Sequence, residues 1–244
     1  MTCVCPVTAA RETPARRGRL LAATSAMNLP DSISWLLDTA RVALLGFALV
    51  IPSIAAYGVV EARSLRVASD VIVSGSLPEQ FDGMRLVFMA DVHAGPFFGP
   101  RRMEELVEQV NSLDADVLIL GGDYVGGRMG GAKTFYPLAA DFEARLAKLA
   151  VLGNHDNWEG SEEARRGLAD AGFTVLENES TRIVEGEASV AVAGVEDLYT
   201  GDPDPEAASS DIDPDLFSIL VSHNPDVFAT RLGDTAGEWD LALA

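Results

Sequence analysis

Most of this chain has very little positive charge. Its 244 residues include 37 acids and 18 basic residues, for a formal net charge of −19. The deficit is uneven. Residues 1–66 hold seven arginines (11, 16, 17, 19, 41, 63 and 66) and four acids, which leaves residues 67–244 with 11 basic and 33 acidic residues, a balance of −22. A region that acidic repels nucleic acid and anionic surfaces, so no nucleic-acid partner is expected. A phosphate-bearing substrate would need a local source of positive charge, and bound cations are the obvious one. Cysteine is nearly missing: Cys3 and Cys5 stand two residues apart in the N-terminal tail, too close for an ordinary disulfide and far from any motif. No disulfide framework exists, and the compartment is left open. Two familiar hydrolytic devices are also absent. No serine nucleophile elbow or Cys–His pairing is present, which speaks against a metal-independent hydrolase. The glycine-rich run Gly126-Gly127-Arg128-Met129-Gly130-Gly131 is not followed by Lys-Ser/Thr, so it reads as a flexible lip and not as a P-loop.

What the chain does have begins with a long uncharged run. Residues 1–33 are irregular, with an Arg16-Arg17-Gly18-Arg19-Leu20-Leu21 stretch that loosely suggests a twin-arginine export signal. The apolar stretch after it is short and broken, and Met27 offers an alternative start. Val42 to Val60 then holds nineteen residues without a charge, close to the roughly 20 that cross a bilayer core. No polar face at helical spacing interrupts it, which argues against a buried core helix. Residues 34–63 are therefore expected to be a membrane-anchoring helix, with Pro52 tolerated inside it. Five arginines precede the span and two follow, so the positive-inside rule places the N-terminus in the cytoplasm and residues 64–244 outside it.

The remainder alternates apolar runs with helical patterns, which points to a layered α/β domain. Strands are expected at residues 65–73, 84–90, 115–120, 149–152, 173–176, 181–184, 190–195 and 217–221, with a last one from Asp240. Helices are expected at 103–113 after Pro100, at 135–148, at 161–171 and near 226–232, and the seven acids of residues 197–215 read as a solvated loop.

Four of these strands end in metal-competent side chains: Asp91 and His93, Asp123, Asn154 and His155, and His223. Ligands of α/β proteins sit outside the carboxyl ends of strands. The chain has three histidines, and each stands at such an end, where a chance scatter would put some elsewhere. Oxygen donors mixed with imidazoles suit Mn, Fe or Zn rather than Ca. A carboxylate such as Asp123 can bridge two ions, and ions about 3.5–4 Å apart form the clamp used in phosphoester hydrolysis. His155 offers a proton near neutral pH, and Asp156 stands next to it to orient the imidazole.

The ordered blocks Asp91-x-His93, Gly122-Asp123, Gly153-Asn154-His155-Asp156 and His223-x-Pro225 resemble the calcineurin-like metallophosphoesterases over about residues 84–244. The preceding anchor, Gly95 and Ser222-His223-Asn224-Pro225-Asp226 resemble the bacterial membrane-associated branch, which includes phosphodiesterases acting like UDP-2,3-diacylglucosamine pyrophosphatases. The resemblance implies an α/β/β/α sandwich and two divalent metal ions. By it, Asp91 and His93 bind one ion, Asp123 bridges, Asn154 and His223 bind the other, and His155, oriented by Asp156, protonates the leaving group. A lipid-linked or envelope phosphoester is the implied substrate. The family closes its site with Gly-His-x-His after a strand like Asp240–Ala244, where this sequence stops. The expectation is therefore a sandwich incomplete at its C-terminus, with a metal-binding or regulatory module of impaired turnover as the competing reading.

Overall fold

Charge-free sequence at this length has few ways to satisfy its backbone away from water, and a helix is the simplest of them. In the computed structural model, which describes residues 31–127, 130–232 and 239–244, helix α1 runs from Asp31 to Arg63. Its 33 residues span about 50 Å at 1.5 Å per residue, more than a bilayer core of about 30 Å. The helix continues through Pro52, which has no N–H to give. The hydroxyls of Thr39 and Ser53 donate to the carbonyls of Trp35 and Leu49, 2.8 and 2.7 Å away. Every described side chain from Ile33 to Val60 is exposed. By length and composition α1 is long and apolar enough to cross a membrane. The paired arginines, both cysteines and Met27 lie outside the described residues.

The chain divides into two compact units, residues 1–66 and 67–244. The second is built on two four-stranded sheets. The first sheet holds β1 (Leu86–Met89), β2 (Val117–Leu120), β3 (Ala147–Ala150) and β4 (Thr174–Val175), parallel and in sequential order. Helices α2 (Pro100–Asn111), α3 (Gly131–Ala139) and α4 (Asn154–Asp170) make the three crossovers. Sequential order with crossovers of one hand puts all three helices on one face. That face is packed by Met103, Val107, Phe135, Ala164 and Leu168 against Leu118, Leu120, Ala150 and Leu152.

The other face must be covered too, since parallel sheets are buried on both sides. The second sheet does this. It contains β5 (Glu179–Glu185), β6 (Ala188–Gly194), β7 (Ser218–Val221) and β8 (Leu241–Leu243). Only the β5–β6 hairpin is antiparallel. Val117, Ile119, Leu149 and Val151 meet Ile183, Val190, Val192, Ile219 and Val221 between the sheets. The outer face of the second sheet packs Ala193 and Leu220 against Ala208 of α5 (Pro205–Ser209) and Val227 of α6 (Asp226–Thr230). The layers are therefore α/β/β/α, as expected. Ile119, which is 1% exposed, sits in the middle layer, and its truncation to alanine should cost about 2–5 kcal/mol.

Three expectations fail in detail. Residues 65–73 form no strand; Val71 and Val73 are each 90% exposed, and no described strand pairs with the segment. The helix expected to reach Lys148 ends at Ala139. The chain turns over residues 140–146, and Lys148 is a residue of β3 whose Nζ donates to the carbonyls of Phe142 and Ala171. The segment 197–215 is not uniformly solvated: Asp197 is 1% exposed, and α5 lies within it.

Candidate metal centre

Each site residue follows an apolar strand closely. Asp91 and His93 follow β1, Asp123 follows β2, Asn154 and His155 follow β3, and His223 follows β7. Apolar runs become buried strands, and the next few residues have to leave the sheet at its carboxyl edge. The exits are tight. Asp91, His93 and Asp123 all adopt left-handed backbone conformations, with φ of 57°, 47° and 57°. For non-glycine residues such geometry costs about 1 kcal/mol or more each and persists where surrounding structure imposes it. The imposing structure is a set of main-chain bonds: the Asp91 N–H donates to Gly122 O, His93 N–H to Asp123 O and Ala94 N–H to Tyr124 O, at 2.8–3.0 Å.

Two glycines in the motifs are there for space. A Cβ on Gly153 would stand 2.2 Å from Asp123 Oδ1, and one on Gly122 would stand 2.7 Å from Gly153 N and 2.8 Å from His223 Nδ1. Gly122 also has a φ of 99°. The second and third strand exits can approach this closely only without side chains at these positions.

Asp156 and Tyr124 hold the two exits together. Asp156 is fully buried; its Oδ2 accepts from the N–H groups of Asp123 and Gly153 at 2.7 and 2.9 Å, and its Oδ1 from Tyr124 N–H at 2.9 Å. Both oxygens are thereby engaged by backbone donors. The expected orienting bond from Asp156 to the His155 imidazole is replaced by this role, because an anion buried near α4's first turn is satisfied by the nearest N–H groups. Burial, reinforced by the charge of Asp123, raises the Asp156 carboxyl to about 6 despite those donors. Tyr124 is buried, and its hydroxyl donates toward the Val151 and Leu120 carbonyls and accepts from Gly122 N–H. Burial first, then Asp156, pushes its phenol well above the usual range.

The functional groups converge on Asp123. Its carboxylate is nearly buried, with 5% side-chain exposure. One oxygen lies 3.5 Å from His93 Nε2 and the other 3.5 Å from His223 Nε2. Asp91 Oδ1 is 3.4 Å from His93 Nε2. The His155 N–H donates to Asp123 Oδ1 at 2.8 Å. Two groups of potential ligands result, His93–Asp123–His155 and Asp91–Asp123–His223, each with ligand atoms within 4.8 Å of one another. Asp91, His93, Asp123, His155 and His223 are therefore brought together around Asp123, with Asp91 close to His93 as well as grouped with His223. Asn154 opens α4, half-buried, immediately before His155.

The electrostatics fit a cation site. Burial alone would raise Asp123 and lower His223. Instead, contact with His223 and the His155 N–H holds Asp123 below its usual range. The same contact, with Asp91 contributing, lifts His223 to about 9. Imidazole Nδ1 of His223 lies 2.9 Å from the Gly121 carbonyl, an arrangement that leaves Nε2 turned toward Asp123. Hard oxygens and imidazoles gathered on one buried carboxylate are a donor set that divalent transition metals match.

The sequence reading did not single out Trp158, Asn157 or Thr200. The His155 ring is flanked edgewise by His93 at 4.7 Å and by Trp158 at 5.1 Å. Trp158 stays 62% exposed. Asn157 Nδ2 donates to Thr200 Oγ1, which donates to Asp197 Oδ2, each at 2.7 Å. The signal was available: Asp197 follows β6 as Asp91 follows β1. The glycine-rich lip lies partly outside the described residues, although Gly126 approaches His93 so closely that a Cβ there would stand 3.0 Å from His93 Cβ.

Comparison with known proteins agrees with this geometry. The chain is 28% identical over 171 residues to the uncharacterized metallophosphoesterase YkuE of Bacillus subtilis, a match covering 68% of this chain and 59% of that protein. It is 29% identical to a transmembrane protein with metallophosphoesterase domain of Danio rerio, covering 73% and 44%. To the phosphodiesterase YaeI of Escherichia coli it is 28% identical, covering 65% and 58%. The chain thus spans about half the length of these relatives. Residues 84–239, which include every strand-end residue described above, match the calcineurin-like phosphoesterase family, and the chain belongs to that family.

Proposed function

We propose that this protein is a membrane-anchored, metal-dependent phosphodiesterase that uses two divalent ions bridged by Asp123. The observation that carries the reading is the sharing of one buried carboxylate between two ligand groups. Asp91, His93 and Asp123 would hold one ion, and Asp123, Asn154 and His223 the other. Bound divalent cations supply an activated water and offset the charge on the phosphoryl oxygens. The rest is done by the chain's own groups. The αL turns fix the ligand carboxylates, and Asp156 fixes the turns. His155 donates a proton to the departing alkoxide oxygen, its ring held between His93 and Trp158.

A second reading of His155 has an observation behind it, since its ring falls within ligand distance of His93 and Asp123. As a general acid it matters in proportion to how poor the leaving group is; as a ligand it matters equally for all substrates. The anchor is α1, with the arginine-rich side in the cytoplasm and the acidic unit on the far side. Names of relatives that include a transmembrane protein support membrane association. The substrate class we assign is an envelope or lipid-linked phosphodiester, which fits an anchored enzyme.

The test uses full-length protein in detergent. Hydrolysis of bis-nitrophenyl phosphate should require Mn(II), vanish with chelator and return on re-addition. Metal binding without turnover would favour a regulatory module, and chelator-insensitive turnover would contradict the proposal. Alkaline carbonate should leave the protein in the membrane fraction; its release would contradict the anchor.

A further inference from the structure

A cavity of about 450 Å³ opens beside the metal centre, lined by Trp158, whose ring meets that of His155 edgewise. Asn157, Trp158, Arg165, Glu196, Asp197 and Thr200 line it. Its charge is unbalanced. Arg165 is occupied by a two-pronged bond to Glu177, at 2.6 and 2.8 Å. Neither Glu196 nor Asp197 is paired with a cation among the described residues. Among the described residues the Glu196 carboxylate accepts main-chain N–H alone, from Asp202 at 2.9 Å.

Asp197 is the telling group. It is 1% exposed, and Oδ2 is saturated by Tyr199 N–H, Thr200 N–H and the Thr200 hydroxyl. Oδ1 is buried and has no donor. An unpaired buried acceptor is costly to keep, and a charged one more so. A group that fills the cavity and brings an N–H to Oδ1 would remove that cost. Trp158 lines the cavity, exposed and next to His155, and an indole can receive a cation.

The geometry points to this cavity as the subsite for the leaving alcohol of a phosphodiester, built for an alcohol that carries a primary ammonium. The inference rests on the phosphodiesterase reading above. An ammonium satisfies all three features at once: it offsets Glu196 and Asp197, lies against the indole, and donates to Oδ1. A quaternary ammonium satisfies the first two and cannot donate; a neutral polyol can donate but brings no charge. In the reaction the water oxygen forms a bond to phosphorus and gives up a proton to solvent, the bond from phosphorus to the amino alcohol's oxygen breaks, and that oxygen takes its proton from His155, which solvent then reprotonates. The amino alcohol leaves from the cavity it was held in. The same head group can reach the site on a diacyl lipid or on a soluble glycerophosphodiester.

Binding is measured first, with probes that cannot be hydrolysed. 2-Aminoethylphosphonate, its trimethylammonio analogue and 2-hydroxyethylphosphonate are titrated calorimetrically into the Mn(II)-loaded full-length protein in detergent. The aminoethyl compound should bind about tenfold tighter than the hydroxyethyl one, as a charge-assisted hydrogen bond implies, with the trimethylammonio compound between them. Asp197→Asn should shrink the aminoethyl-to-hydroxyethyl ratio to about threefold or less. Because Asp197 also organises its own loop, Trp158→Leu provides a second reading on an exposed side chain, and it should weaken both cationic probes relative to the neutral one. Equal affinity for all three probes, or a ratio unmoved by both substitutions, would overturn the subsite.

Bis-nitrophenyl phosphate turnover in the same preparation tests the parent reading separately. Turnover with a flat binding series defeats the subsite alone; a tenfold series without turnover defeats the hydrolase reading, and with it the leaving-alcohol role, and leaves the cavity an ammonium-binding site. Ethanolamine release is then compared between glycerophosphoethanolamine and phosphatidylethanolamine in mixed micelles, and the faster arm names the source. Release from neither, while bis-nitrophenyl phosphate is hydrolysed, would overturn the assignment of the cavity to the leaving alcohol.

Discussion

The two ends of the first sheet carry charge in opposite ways. At the amino ends, Asp116 is engaged from two sides: it accepts from Arg85 N–H at 2.8 Å and lies 2.5 Å from Arg145 Nε, while Arg145 also reaches Glu185 of the second sheet at 2.9 Å. Its acids have arginine partners: even Asp114, left-handed at φ 50° in the turn before β2, stands 3.5 Å from Arg85. At the carboxyl ends, Asp91 and Asp123 have only imidazoles within ion-pair distance among the described residues, and three of the residues there are left-handed. Acids with matched cations make a scaffold. Acids gathered in strained turns without a lysine or arginine make a place where a cation has to come from solution.

The sharpest way to break this contrast is to neutralise the carboxyl end. Asp123→Asn removes the shared charge and should abolish measurable phosphodiester turnover, lowering metal affinity by more than the roughly 10–100-fold seen when a ligand's supporting group is lost. Retained turnover would mean the uncompensated end is not the active one.

Next in size is His155→Ala. As proton donor to the leaving group, its loss should slow an alkyl phosphodiester by about 10²–10⁴-fold, with a far smaller loss on a nitrophenyl ester. Equal losses on both would assign His155 to the metal instead.

Asp156→Asn sharpens the comparison from the structural side. An amide oxygen cannot accept from the three N–H groups that the carboxylate serves, so a loss of about 2–3 kcal/mol is expected, read as a lower midpoint in urea. An unchanged midpoint would show that the strained turns hold themselves.

The smallest effect belongs to the amino end. Burial would raise Asp116, but the Arg85 N–H and Arg145 hold it below its usual range. A depressed carboxyl contributes stability at pH above its unfolded value and loses it as pH falls through the lowered folded one. Arg145→Met should therefore shift acid unfolding, followed by circular dichroism, toward higher pH by a modest amount, since the pair is solvent-screened. Metal binding should be untouched.

The sequence made the site more legible than the path between its parts. Apolar runs ending abruptly in Asp, Asn or His located all four strand exits, because burial and exit from a sheet leave that pattern in composition. It was less informative where local preference and tertiary placement disagree. Residues 65–73 alternate like a strand but pair with no strand among the described residues. Residues 140–148 are rich in helix formers, yet the chain must turn there to bring Lys148 into β3. Asp156 and Asp197 look like neighbours of a catalytic histidine and of an acidic loop. Their roles depend on which N–H groups the fold turns toward them, and adjacency in sequence does not encode that.

The central claim is that Asp123 joins two ions at the uncompensated end of the sheet. Metal content, with the paramagnetic resonance spectrum of the Mn(II)-loaded full-length protein, tests it most directly. The account predicts two ions per chain with a spectrum of exchange-coupled manganese, and loss of that coupling in Asp123→Asn. A single uncoupled ion in the unaltered protein, or a coupled pair that survives in Asp123→Asn, would contradict it.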